Sequence, residues 1–194
     1  MERVIVVSKN QKASEFFEKF LIAHKIRDIT HASSGAKARR AFGEQDYDLA
    51  IVISPLPEET GEALAKELAL RPETQVIFIA KEEILLSGES ELLKCGVIMQ
   101  SIPITRAGTD QCFKLAYAFS NKMKKLIVQT KTLQTKLQEI KKIDLAKCYI
   151  IEMDNICEEE AHKIIEKLAM NKRKTKLQIA NEIIDKYRSK NEKS

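Results

Sequence analysis

The side chains best able to do chemistry are dispersed along this chain. Cysteines stand at 95, 112, 148 and 157 and histidines at 24, 31 and 162, with no Cys-x-x-Cys pair and no Cys/His group at zinc-ligand spacing. No nucleophile falls in a pattern with a general base, and no glycine-rich phosphate loop is present. Catalysis, a bound metal and an organic cofactor are therefore not expected. What is concentrated is positive charge: Lys141-Lys142, Lys147 and Lys172-Arg173-Lys174. Residues 121–194 carry 18 Lys+Arg against 11 Asp+Glu, a net of +7. Subtracting from totals of 33 and 28 leaves 15 against 17 for residues 1–120, a net of −2. A basic half behind a mildly acidic one points to an anionic partner, nucleic acid or membrane surface.

Such residues need rigid elements to hold them, and glycine and proline show where the architecture changes. All six Gly lie at or before Gly108 and all four Pro at or before Pro103, so the last 86 residues contain neither. Tight hairpins lean on both residue types, whereas helices do without them. The back of the chain is therefore expected to be helical.

The front alternates. Arg3–Val7, Arg27–His31, Leu49–Ile53, Gln75–Ala80 and Val97–Met99 read as five strands, the continuous Val/Ile runs being those of strands buried on both faces. Between them, helical spacing is predicted over Ser14–His24, Ser33–Phe42, Glu58–Leu70 (with Leu64, Leu68 and Leu70 inward) and about Glu89–Lys94. Strands alternating with helices imply a parallel sheet covered on both faces.

From Thr105 or Thr109 a helix is predicted without a breaker to about Met153. Ala116, Phe119, Met123, Leu126, Thr130, Leu133, Leu137 and Ile140 follow one another at spacings of 3, 4, 3, 4, 3, 4 and 3, a heptad seam. A narrow seam on a long helix predicts a two-stranded coiled coil, and hence a homodimer. Two short helices follow: one opens at Cys157-Glu158-Glu159-Glu160 with Ala161, Ile164, Ile165, Leu168 and Ala169 inward, and one is capped by Thr175 with Leu177, Ile179, Ala180, Ile183 and Ile184 inward.

Two stretches resemble known families. Tyr47-Asp48-Leu49-Ala50-Ile51-Val52-Ile53-Ser54-Pro55-Leu56-Pro57 with Gly61, and Ser101-Ile102-Pro103, resemble the third strand and the fifth-strand exit of response-regulator receiver domains. That resemblance covers about residues 1–120 and implies a flavodoxin-like fold. It also implies a phosphorylation pocket whose residues this chain has replaced. Ser8 and Lys9 stand at the acidic pair that holds magnesium, Ile53 at the phosphoacceptor Asp, Ala80 at the hydroxyl and Ile102 at the Lys. Ser, Lys and Ile are not hard oxygen ligands, and an Ile forms no acyl phosphate. A pseudo-receiver is expected, controlled by a regulatory protein partner or a ligand rather than by aspartyl phosphorylation.

Lys141-Lys142-Ile143-Asp144-Leu145-Ala146-Lys147-Cys148-Tyr149-Ile150 resembles the signature of the ANTAR domain, an RNA-binding antiterminator module of the amidase-operon antiterminator type. Glu158-Glu159-Glu160-Ala161, Leu168-Ala169-Met170 and Leu177-Gln178-Ile179-Ala180 match the rest in order, from about Leu133 to Tyr187. Two positions depart from the family: its Gly is Cys148, and its Arg is matched by Lys141, which loses planar bidentate capacity. The resemblance implies a cytoplasmic antitermination regulator that binds paired hairpins of a leader transcript as a dimer. Lys141, Lys147, Arg173 and Lys174 are expected to line a basic groove, with Tyr149 stacking on a base, Ala146 allowing close approach and Cys148 among the RNA-binding positions. The expected layout is a pseudo-receiver over 1–120, a coiled-coil linker over 109–140 and the RNA-binding module over 133–190. The rival reading is a coiled-coil signalling adaptor without RNA binding.

Overall fold

The computed structural model describes residues 1–191, with side chains through Arg188. The chain divides into two compact units, Met1–Leu126 and one beginning at Ile127.

The first unit holds five strands, β1 (Arg3–Val7), β2 (Asp28–Ala32), β3 (Leu49–Ile53), β4 (Gln75–Ala80) and β5 (Ile98–Ser101), in one parallel sheet of order β2-β1-β3-β4-β5. Between them lie α1 (Gln11–Ala23), α2 (Gly35–Glu44), α3 (Glu62–Ala69) and α4 (Glu82–Lys94). The period-2 alternation of the strands splits their side chains between two cores. Ile5, Val7, Ala50, Val52, Val76 and Phe78 face Ala38 and Phe42 of α2, Leu64, Ala65 and Leu68 of α3, and Leu92 of α4. Val4, Val6, Leu49, Ile51, Ile53, Ile77 and Ile79 face Phe17, Phe20 and Leu21 of α1 and Phe113 and Ala116 of the following helix. The three central strands, β1, β3 and β4, are apolar on both faces because both faces are covered. Asn10 caps α1 through its side chain, which accepts from the Lys12 amide at 2.9 Å. Gly61 opens α3 at φ +88°, where a Cβ would come within 3.1 Å of Val52.

Several element bounds differ from those expected: β2 lies one residue later and α1 begins three residues earlier, at Gln11. Helix α4 starts seven residues earlier than expected, at Glu82. Helix α3 starts at Glu62 and stops at Ala69, leaving Leu70 77% exposed. Strand β5 runs to Ser101.

Helix α5 runs from Arg106 to Asp154, 49 residues. Thr105 caps it: its hydroxyl accepts from the Gly108 amide at 3.1 Å. In the first unit the seam residues Phe119, Met123 and Leu126 are 49%, 38% and 45% exposed. In the second, Leu133, Leu137 and Ile140 are 66%, 53% and 56% exposed.

The second unit adds α6 (Glu158–Lys172) and α7 (Lys176–Asn191). Its core joins Ala146 and Ile150 of α5, Ala161, Ile165 and Ala169 of α6, and Ile179, Ala180 and Ile184 of α7. Four of those eight residues are alanines, so the helices can approach closely. Helix ends are locally specified. Thr175 and Gln178 form a reciprocal capping pair, each side chain accepting from the other's amide, at 3.2 and 2.9 Å. Cys157 precedes α6, and its amide donates to the Glu160 carboxylate at 3.2 Å.

Candidate functional site

In a sheet of this order the crevice opens at the C-terminal ends of β1 and β3, where the strand order reverses. Ser8 follows β1, Ile53 ends β3, Ala80 ends β4 and Ile102 follows β5. Ser8 is buried, and its hydroxyl accepts from the Asn10 amide at 3.1 Å, so it serves the α1 cap. Ile53 and Ala80 are core residues, Lys9 is exposed, and Ile102 is 41% exposed. None of the five carries a carboxylate or a free hydroxyl toward the crevice. The loop after β3 is fastened instead to α2: Arg39 donates to Glu59 at 2.8 Å and to Glu67 at 2.7 Å. Asp48 lies at the other end of β3. Burial pushes its carboxyl up, but a hydrogen bond from Lys124 at 2.7 Å and the Glu2 and Arg3 amides outweigh burial and hold it below the usual range. No group of His, Cys, Asp and Glu able to hold a metal ion occurs among the described residues.

The basic residues of the second unit fall into two sets. One is ion-paired. Lys147 is only 14% exposed, with its Nζ 2.8 Å from Asp144 and 2.9 Å from Glu158. Its hydrogen bonds to these two carboxylates raise its pKa. Lys172 and Lys174 both hold Glu182, whose carboxyl they pull down to about 2. Lys176 holds Glu166 at 2.6 Å. The other set has no ion pair among the described residues and includes the exposed Lys141, Lys142, Lys163, Lys167, Arg173, Lys186 and Arg188. Arg173 caps α6 in the left-handed region, φ 54°.

The expected groove is thus rearranged. Lys147 and Lys174 sit in separate clusters, Lys147 with Asp144 of its own helix and Glu158 of α6, Lys174 with Glu182 of α7. Ala146 is fully buried, so its small side chain serves helix packing and it offers nothing to a ligand. Tyr149 is half-buried and lies parallel to Tyr187, ring centroids 5.4 Å apart and planes within 7°. One of its faces is therefore occupied. Cys148 is exposed. The sequence does not disclose Glu158 and Glu182 as partners or Lys163 and Lys167 as open cations; the apolar spacing of α6, which fixes its outward side, is the one signal for the last two.

The fold defines a class of architecture: a receiver-like domain joined by a long helix to an all-helical second unit. Residues 131–184 match the ANTAR domain, and the chain carries that domain there. Solved structures similar to the first unit include the adenylate cyclase from Rhodopirellula baltica, with 14% identity over 69% of this chain and 97% of that one, at a TM-score of 0.58. The signal receiver domain of an HD domain-containing protein from Pseudomonas fluorescens Pf-5 has 15% identity over 64% and 92%, at 0.56. A response regulator receiver domain from Methylobacillus flagellatus has 21% identity over 60% and 98%, at 0.50. These likenesses show the fold. No curated protein sequence matches the chain significantly. No helix among the described residues is long and apolar enough to cross a membrane.

Proposed function

We propose that this protein is a cytoplasmic transcription antiterminator that binds paired hairpins in a leader transcript as a homodimer. Its front domain is set by a partner protein or ligand, not by phosphorylation. The observation that carries the reading is the ANTAR match over residues 131–184, in a unit that presents unpaired cations. The dimer is supported by exposed apolar residues at heptad spacing along α5, from Phe119 to Ile140. Two modules on one dimer can hold two hairpins with an avidity that neither has alone. The control mode is supported by Ser8, Lys9, Ile53, Ala80 and Ile102, which supply neither a magnesium ligand set nor a phosphoacceptor. Lys141, Cys148, Arg173 and Lys174 remain proposed RNA contacts.

The test is selection from a pool of leader transcripts by the full-length protein. Retained RNAs should carry two hairpins and should lose affinity when either is deleted. A protein that retains no transcript at low salt is not an antiterminator. The second reading, a coiled-coil adaptor without RNA binding, is favoured by one observation: Lys147, in the signature itself, is neutralised by Asp144 and Glu158.

A further inference from the structure

The ion pairs above divide the cations of the second unit by what they can still do. A lysine already facing two carboxylates exchanges one anion for another when it meets a phosphate. An unpaired lysine neutralises the phosphate outright and releases its counterion. Of the unpaired cations outside α5, Lys186 and Arg188 lie on α7, while Lys163 and Lys167 share one face of α6. At 3.6 residues per turn, Lys163, Lys167 and Met170 fall within an arc of about 60° on α6. That arc lies directly opposite Ala161, Ile165 and Ala169, the residues that α6 buries. Arg173 follows one turn beyond Met170 at the helix end. Met170 is 79% exposed, an apolar, polarisable side chain set among three positive charges. Glu159 and Glu160 border this stripe at its N-terminal end, and Glu160 is engaged with the Cys157 amide.

A hairpin loop presents this combination of needs in complementary form, with phosphates at close spacing and unstacked bases seeking an apolar surface. We propose that the outward stripe of α6, Lys163, Lys167 and Met170 with Arg173, is the surface that meets the RNA loop. Lys147 is a strut that joins α5 to α6 and positions this stripe. The assignment rests on the RNA-binding reading above and specifies which face of the module carries it.

The experiment is a salt titration of full-length protein against a pool of RNA hairpins with randomised loops, for wild type and four variants. Lys163→Gln/Lys167→Gln should weaken binding roughly tenfold and reduce the slope of log affinity against log salt by about 1.4, two contacts at about 0.7 each. Lys163→Arg/Lys167→Arg should keep the wild-type slope. Met170→Ser should weaken binding with the slope unchanged. Lys147→Met should also leave the slope unchanged. A wild-type slope in the Gln double variant, together with a reduced slope in Lys147→Met, would overturn the assignment. Failure of the wild type to bind the pool at any salt would instead sink the RNA-binding reading and this surface with it.

Discussion

Lys147 Nζ stands 2.9 Å from Glu158 Oε1, and this contact ties the last turns of α5 to the first turn of α6. With Asp144 on its other side, the ammonium is committed within the protein. The residue that the family signature makes most conspicuous is therefore an internal fastening in this chain. Lys147→Met should lower the stability of the second unit by about 0.5–1 kcal/mol, the range of a modest ion-pair contribution. Denaturant unfolding followed by hydrogen exchange of α6 amides would measure it. Unchanged protection would mean that the bridge contributes nothing.

The receiver-like domain should be inert to phosphodonors. Incubation with acetyl phosphate and Mg²⁺ is expected to leave the intact mass unchanged. Restoring a carboxylate with Ile53→Asp should not create activity either, since Ser8, Lys9, Ala80 and Ile102 supply none of the other groups. That variant should be destabilised, because Ile53 is 6% exposed and packs against α1 and α5. A phosphorylated wild-type protein in the mass spectrum would refute the pseudo-receiver account.

Glu182 gives the second unit a pH dependence with a definite sign. Hydrogen bonds from Lys172 and Lys174 hold its carboxyl at about 2, against an ordinary 4.5. The unfolded chain therefore takes up this proton first as pH falls. The stabilisation is complete above about pH 4.5 and is lost progressively toward pH 2. Protection of α6 and α7 amides should drop over that window in the wild type and less steeply in Glu182→Gln. Parallel profiles for the two proteins would exclude the link.

The seam of α5 should govern association. Leu133 and Leu137 are more than half exposed and have no core of their own to join. Leu133→Glu/Leu137→Glu should convert the dimer to a monomer in sedimentation equilibrium while leaving helix content intact. A wild-type protein that sediments as a monomer at micromolar concentration would rule out the coiled coil.

How far the sequence discloses all this depends on the range of each interaction. The strand Leu49–Ile53 and the breaker-free helix after Thr105 are legible because their causes lie within a few residues: continuous β-branched runs, heptad spacing and a capping threonine. The start of α4 at Glu82 is hidden because Ser87, Gly88 and Ser90 interrupt the apolar period. Leu70 reads as an inward residue, and it is exposed because α3 has already ended at Ala69. The ion pairs are the least legible. Asp48 finds Lys124 and Arg39 finds Glu59 across the fold, and Lys147 meets Glu158 only because the chain turns at Asn155, which has φ 52°. Long flexible side chains and a helix turn settle those partners, and no periodicity encodes them. Ala146 shows the same effect in reverse. Its signature position suggests contact with a ligand, yet its place in the three-helix core makes it packing.

The central claim is antitermination, and single-round transcription through a leader selected by this protein tests it most directly. The account predicts that full-length protein raises the fraction of transcripts reading through the leader terminator. It also predicts that the Lys163→Gln/Lys167→Gln variant raises it less at equal concentration. A terminated fraction unchanged by saturating wild-type protein, on an RNA that the protein demonstrably binds, would contradict it.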